Sequence, residues 1–102
     1  MNTITVEELK ARLDKGEQLN LVDVREPFEN ADFNIGGILL PLGKIQLHEI
    51  DDIEDLKNEE VILYCRSGKR SATAALILDT AGFVNTKNVI GGMLEWREKF
   101  DK

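Results

Sequence analysis

A chain of 102 residues, 42% hydrophobic and 31% charged, has the size and composition of one globular domain able to bury a core without disulfides or metal. Its net charge of -6 argues against nucleic acid as a partner, since that calls for a broad basic face, and no apolar run reaches the ~18 residues of a membrane span. A single cysteine, a single histidine and no basic-then-apolar leader at the N-terminus exclude the common zinc clusters and a disulfide framework. They point instead to a reducing cytoplasm.

The first element is a helix. Thr5-Val6-Glu7-Glu8 fits a capping box, Val6, Leu9 and Leu13 recur at helical spacing, and Gly16 ends the run. Leu19 to Val24 reads as a strand. Pro27 suits the first turn of a short helix reaching about Ala31. Gly36-Gly37 turns into the short strand Ile38-Leu39-Leu40, stopped by Pro41. Residues 43–58 read as one or two short helices carrying Ile45, Leu47, Ile50, Ile53 and Leu56 inward, with His48 a surface residue. Val61-Ile62-Leu63-Tyr64 is a buried strand, and a helix follows from about Lys69 to Ala81, closed by Gly82. Asn88-Val89-Ile90 is a last strand, and Gly91-Gly92 leads into the helix Met93 to Phe100. Apolar strands alternating with helices predict an α/β fold with a parallel sheet covered on both faces. With no linker or repeat, residues 1–102 are expected to form one folded unit.

Cys65 lies where ligand sites of such folds lie, beyond the carboxyl end of a strand. It opens the run Cys65-Arg66-Ser67-Gly68-Lys69-Arg70-Ser71, which feeds the N-terminus of a helix. Unpaired N–H groups and the positive end of the helix dipole meet there, so the site favours anions and a thiolate. Arg66, Lys69 and Arg70 push the same way and form a cationic island in an acidic chain. That suits a small anion, and no cofactor is implied.

Three segments resemble the single-domain rhodaneses, a family of sulfurtransferases. Leu21-Val22-Asp23-Val24-Arg25-Glu26-Pro27 is similar to the family's amino-terminal signature. The run from Cys65 to Ser71 is similar to its active-site loop, and Val89-Ile90-Gly91-Gly92-Met93-Leu94-Glu95-Trp96 to its carboxyl-terminal signature. The resemblance implies a three-layer fold with about five parallel strands. It also implies a catalytic Cys65 that carries a sulfane sulfur as a persulfide, the outer sulfur lying in the ring of N–H groups from Arg66 to Ser71. The implied reaction moves sulfur from a small anionic donor such as thiosulfate, or from a persulfide, to cyanide, a thiol or a sulfur-acceptor protein. A histidine common in the family is absent from Asp32-Phe33-Asn34-Ile35-Gly36-Gly37.

Within that scheme Arg66 and Lys69 meet the donor's charged end, and Gly68 lets the backbone curl. Ser67 and Ser71 offer hydroxyl donors. Arg70 has two options, the substrate or an acidic neighbour such as Asp23 or Glu26. Asp23 and Arg25 form either a network that holds the loop or a plain structural pair. Trp96 reads as a core anchor accompanied by Leu94 and Phe100, and Gly91-Gly92 as turn geometry. Two other functions compete. The dual-specificity phosphatases that share this fold place arginine where this chain has Ser71, in a longer loop than a single sulfur needs. A non-catalytic interaction module needs no cysteine, and Cys65 is present.

Overall fold

The computed structural model describes residues 1–101, so Lys102 of the expected 1–102 unit lies outside the described residues. Strands β1 (Asn2–Ile4), β2 (Leu21–Asp23), β3 (Ile38–Leu39), β4 (Glu60–Tyr64) and β5 (Asn85–Val89) form one parallel sheet in the order β1-β5-β4-β2-β3. The connecting helices are α1 (Val6–Asp14), α2 (Pro27–Asp32), α3 (Leu42–Gln46), a 3₁₀ helix over Asp51–Leu56, α4 (Lys69–Thr80) and α5 (Gly92–Phe100). This is the expected α/β architecture with helices on both faces.

Alternation along β4 divides the core. Val61 and Leu63 face one apolar cluster, with Val22, Ile45, Ile53, Ala74, Ala75 and Leu78. Ile62 and Tyr64 face the other, with Val6, Leu9, Val89, Met93 and Trp96. Both layers need β4 at the centre of the sheet, which is why its inner four residues are fully buried. The strand then delivers Cys65 at the carboxyl edge, between β2 and β5.

Several boundaries differ from the sequence expectation. Strand β1 was not foreseen: Asn2 and Thr3 are exposed, and only pairing with Lys87 and Asn88 makes the segment a strand. Strand β5 begins at Asn85, not Asn88, because its polar start is satisfied by tertiary partners. Thr86 donates to Asp79 at 2.5 Å, and Lys87 reaches Glu60 at 2.5 Å. Leu47 does not point inward; it is 71% exposed, at the end of a five-residue helix. The capping box of α1 is present, with Thr5 N–H donating to Glu8 at 2.9 Å and Glu8 N–H to Thr5 at 3.1 Å.

The segment lacking the histidine is organised by backbone and asparagine. Tyr64 donates its hydroxyl to the Gly36 carbonyl at 2.8 Å, and Asn34 accepts from Gly36 N–H at 2.9 Å. Gly37, at φ +89°, passes so close to β2 that a Cβ would lie 2.2 Å from the Leu21 carbonyl oxygen. Only glycine fits.

Glu60 gathers Arg12, through two hydrogen bonds of 3.0 and 2.7 Å, and Lys87. The Arg12 guanidinium, opposed by burial and helped by Lys87, holds the Glu60 carboxyl at about 2. Because the folded value lies below the unfolded one, the stabilisation is complete above the ordinary carboxylate value and is lost as pH falls toward 2. Urea unfolding should therefore show stability dropping between about pH 4.5 and 2. Glu60→Gln should lower stability near neutrality and flatten that acid limb; an unchanged limb would assign the acid response to other carboxylates.

Candidate active site

The loop after β4 is shaped by two approaches of backbone to backbone. Gly68, the N-cap of α4, sits at φ +95°, where a Cβ would lie 3.1 Å from the Val89 carbonyl oxygen. Gly92 sits at φ +57°, where a Cβ would lie 2.5 Å from the Arg66 carbonyl oxygen and 2.6 Å from that of Cys65. The first turn of α5 thus closes on the back of the loop. Met93 N–H donates to the Cys65 carbonyl and Leu94 N–H to the Arg66 carbonyl, both at 2.9 Å. These bonds turn the loop's carbonyls outward and satisfy two of the N–H groups a helix start leaves unpaired.

With the carbonyls outside, the N–H groups converge on sulfur. Cys65 Sγ accepts from Gly68 N–H at 3.1 Å and from Ser71 N–H at 3.4 Å, and the Ser71 hydroxyl oxygen lies 3.3 Å away. Burial pushes the thiol up; the donors gathered around it at Ser71, Gly68 and Ser67 outweigh that, so the thiol lies below its ordinary value. Cys65 is 1% exposed, so only a thin reagent reaches its sulfur. The N–H groups of Arg66, Lys69 and Arg70 have no hydrogen-bond acceptor among the described residues.

The three loop cations divide. Arg70 turns to α2 and makes a bidentate pair with Glu29, both bonds 2.8 Å. It therefore takes the acidic-neighbour option, with Glu29 as the neighbour in place of Asp23 or Glu26. Arg70, against some burial, holds the Glu29 carboxyl down at about 2. Arg66 and Lys69 are exposed and make no ion pair among the described residues. Asp23, fully buried, receives Arg25 at 2.9 Å through both Nε and Nη2, and Asn30 of α2 at 2.9 Å. Arg25 also donates to the Phe33 carbonyl at 2.5 Å. The pair thus fixes the C-terminal half of α2, whose Glu29 in turn holds Arg70.

A cleft of about 540 Å³ opens beside the loop, between α2 and α5, lined by Arg25, Phe28, Glu29, Arg66, Met93 and Leu94 among others. Phe28 is 74% exposed and Leu94 48%. Leu94 is therefore a rim residue of the cleft, not the core companion of Trp96 that helical spacing suggested. Trp96 does lie in the core, edge-on to Phe100 at 5.0 Å between ring centroids. Phe28, Glu29 and Asn88 enter the site without a motif that singles them out in the sequence. Glu29 could have been found as the charged residue three beyond the cap of α2; for Asn88, read only as the start of a strand, no signal existed.

Residues 5–99 match the family described as Rhodanese-like domain. The chain belongs to this family. A sulfurtransferase of Allochromatium vinosum is 37% identical to this rhodanese-like domain over 97 residues, covering 94% of the chain and 88% of the relative. The Bacillus subtilis protein YrkF, which carries the name of a sulfur carrier protein, is 35% identical over 99 residues, or 94% of the chain. The rhodanese-like domain spans about half of YrkF's length, 51%. A crystal structure of a rhodanese-like domain protein from Staphylococcus aureus superposes with a TM-score of 0.81 at 33% identity, over 94% of this chain and 91% of that one.

The packing of α5 on the loop makes a direct test. Gly92→Ala should force the first turn of α5 off the Cys65 and Arg66 carbonyls. A stability loss of roughly 1–3 kcal/mol in urea unfolding and a thiol titrating closer to its ordinary value are expected. A variant as stable as the parent, with the same thiol titration, would show that the contact does not shape the loop.

Proposed function

We propose that this rhodanese-like domain is a sulfurtransferase that carries sulfane sulfur on Cys65 as a persulfide. The observation that carries the reading is the N–H ring of the loop: Gly68 and Ser71 already donate to the sulfur, and the N–H groups of Arg66, Lys69 and Arg70 on the same loop are left without acceptors among the described residues. Such a ring suits a second, anionic sulfur atom bonded to the first.

In the first half-reaction the Cys65 thiolate attacks the outer sulfur of thiosulfate. An S–S bond to Cys65 forms as the donor's own S–S bond breaks, and sulfite leaves with the electron pair. The persulfide's negative charge falls among the loop N–H groups. In the second, an acceptor thiolate or cyanide attacks the outer sulfur, and Cys65 leaves again as thiolate. No general base is required when the thiol is already ionised, and Cys65, the only cysteine, has no resolving partner within the chain. Arg66 and Lys69, free of ion pairs, meet the donor's charged end. Arg70 acts from a distance, through its charge and the Glu29 link, while Asp23 and Arg25 hold α2 in place. Ser67 and Ser71 line the ring, and Gly68 supplies its curl.

Thiosulfate needs far less room than the cleft between α2 and α5 offers. We assign that cleft, with Phe28 and Leu94 at its rim, to the organic body of a thiol acceptor or of a sulfur-acceptor protein. A lone reduced cysteine suits the cytoplasm, and no described helix is long and apolar enough to cross a membrane.

Intact mass spectrometry after thiosulfate treatment should show one added sulfur atom, removed by cyanide or a small thiol. Cys65→Ser should lose both adduct and turnover; thiocyanate formation by the serine variant at the parent rate would sink the assignment. Arg66→Ala and Lys69→Ala should each cost on the order of 1.5–3 kcal/mol in kcat/KM for thiosulfate, and less for an uncharged persulfide donor. Equal losses for both donors would mean that these side chains only shape the loop.

A further inference from the structure

Asn88 lies behind the Cys65 loop and takes no part in the transfer chemistry. Strand β5 fixes it opposite Leu63, on the face toward α4, and it is 7% exposed. Its Oδ1 accepts the Ser71 hydroxyl at 2.5 Å, while the same hydroxyl oxygen lies 3.3 Å from Cys65 Sγ. A hydroxyl has one proton, so it cannot donate to both at once. The short bond to a carbonyl oxygen is much the stronger of the two.

We propose that Asn88 is a positioning residue that holds the Ser71 hydroxyl proton away from Cys65 Sγ, leaving the sulfur's charge to the backbone N–H groups. The inference rests on Cys65 being the nucleophile. In the thiol form a chain is possible, S–H to Ser71 Oγ and the hydroxyl onward to Asn88 Oδ1. In the thiolate form the hydroxyl can turn to sulfur only by giving up the 2.5 Å bond. Asn88 therefore withholds a donor that would stabilise the thiolate, and a less stabilised thiolate is the better nucleophile. The surrounding charges are Arg66, Lys69 and Arg70 on the loop and α4, Glu29 and Glu26 beside α2, the Asp23–Arg25 pair at the end of β2, and Glu95 over Gly91 on α5. All are common to the variants below, so differences between variants report on the hydroxyl.

The test reads the free thiol, with no sulfur donor present, and so stands apart from whether a persulfide forms. Cys65 is titrated by thiolate absorbance and by its alkylation rate with iodoacetamide. Asn88→Ala should move the midpoint down by about one pH unit and lower the limiting rate of the fully ionised thiol about threefold. Ser71→Ala should leave the midpoint unchanged or move it slightly down, because the hydroxyl it removes was not donating to sulfur, and adding Asn88→Ala to it should change nothing further. Asn88→Val, which suits a strand and also lacks an acceptor, must shift the midpoint in the same direction. An unchanged or raised midpoint in the Asn88 variants overturns the proposal. So does an equal shift with and without Ser71, because Asn88 would then act by a route other than the hydroxyl.

Discussion

The constraint on which the Cys65 loop depends is its contact with the start of α5. Two α5 N–H groups take the carbonyls of Cys65 and Arg66 at 2.9 Å, and the approach leaves no space for a Cβ at Gly92. A six-residue segment has as many carbonyls as N–H groups. For the N–H groups to gather on one side, the carbonyls must be accepted on the other, in the interior, where an unmet polar group is costly. Helix α5 provides that second side with the donors its first turn has in surplus. Gly92, read from sequence as turn geometry, thus also shapes the back of the Cys65 loop.

From this contact the division of labour among charges follows. The helix start of α4 and the N–H ring act directly on sulfur at 3.1–3.4 Å, while the guanidinium of Arg70 is spent on Glu29. Fixed dipoles, and not a side-chain cation, thus lie next to the sulfur. Arg66 and Lys69 remain free to meet a second charged molecule. The buried Asp23–Arg25 pair looks extravagant by itself, since removing two charges from water is expensive. It is accounted for by its extra partners: Asn30 and the Phe33 carbonyl complete the hydrogen bonds and lock the short helix α2, which carries Glu29 and one wall of the cleft. The pair touches the loop only indirectly, through α2 and the bond of Glu29 to Arg70.

The contrast between a closed ring and an open cleft is informative in the same terms. Cys65 is almost wholly covered, so selectivity at the sulfur is selectivity for something the width of an atom. The neighbouring cleft has apolar rims at Phe28 and Leu94 and cations at Arg25 and Arg66, and it imposes no such limit on what the sulfur is attached to. Exposed apolar side chains beside a reactive centre are more informative than the same residues scattered elsewhere on the surface.

Local chemistry made much of this legible from the sequence. The capping box at Thr5, the apolar run into Cys65, the basic glycine-containing turn and the alternation of strands with helices each depend on neighbours within a few residues, and each is present. Tertiary structure alone decided the rest. Strand β1 and the polar half of β5 exist because each lies against a partner, and no local pattern encodes a partner 85 residues away. Leu94 and Leu47 keep the helical spacing of core residues but face outward, since periodicity gives a face and not what lies opposite it. Glu29 and Asn88 reach the loop from α2 and β5 only once the sheet order has brought β2 and β5 to either side of β4. The sequence by itself determined the donors on Cys65 Sγ, which lie three and six residues along the chain at Gly68 and Ser71; the fold decided what holds that loop in place, because the contacts of Ser71 with Asn88 and of Arg70 with Glu29 span 17 and 41 residues and form only when the layers pack.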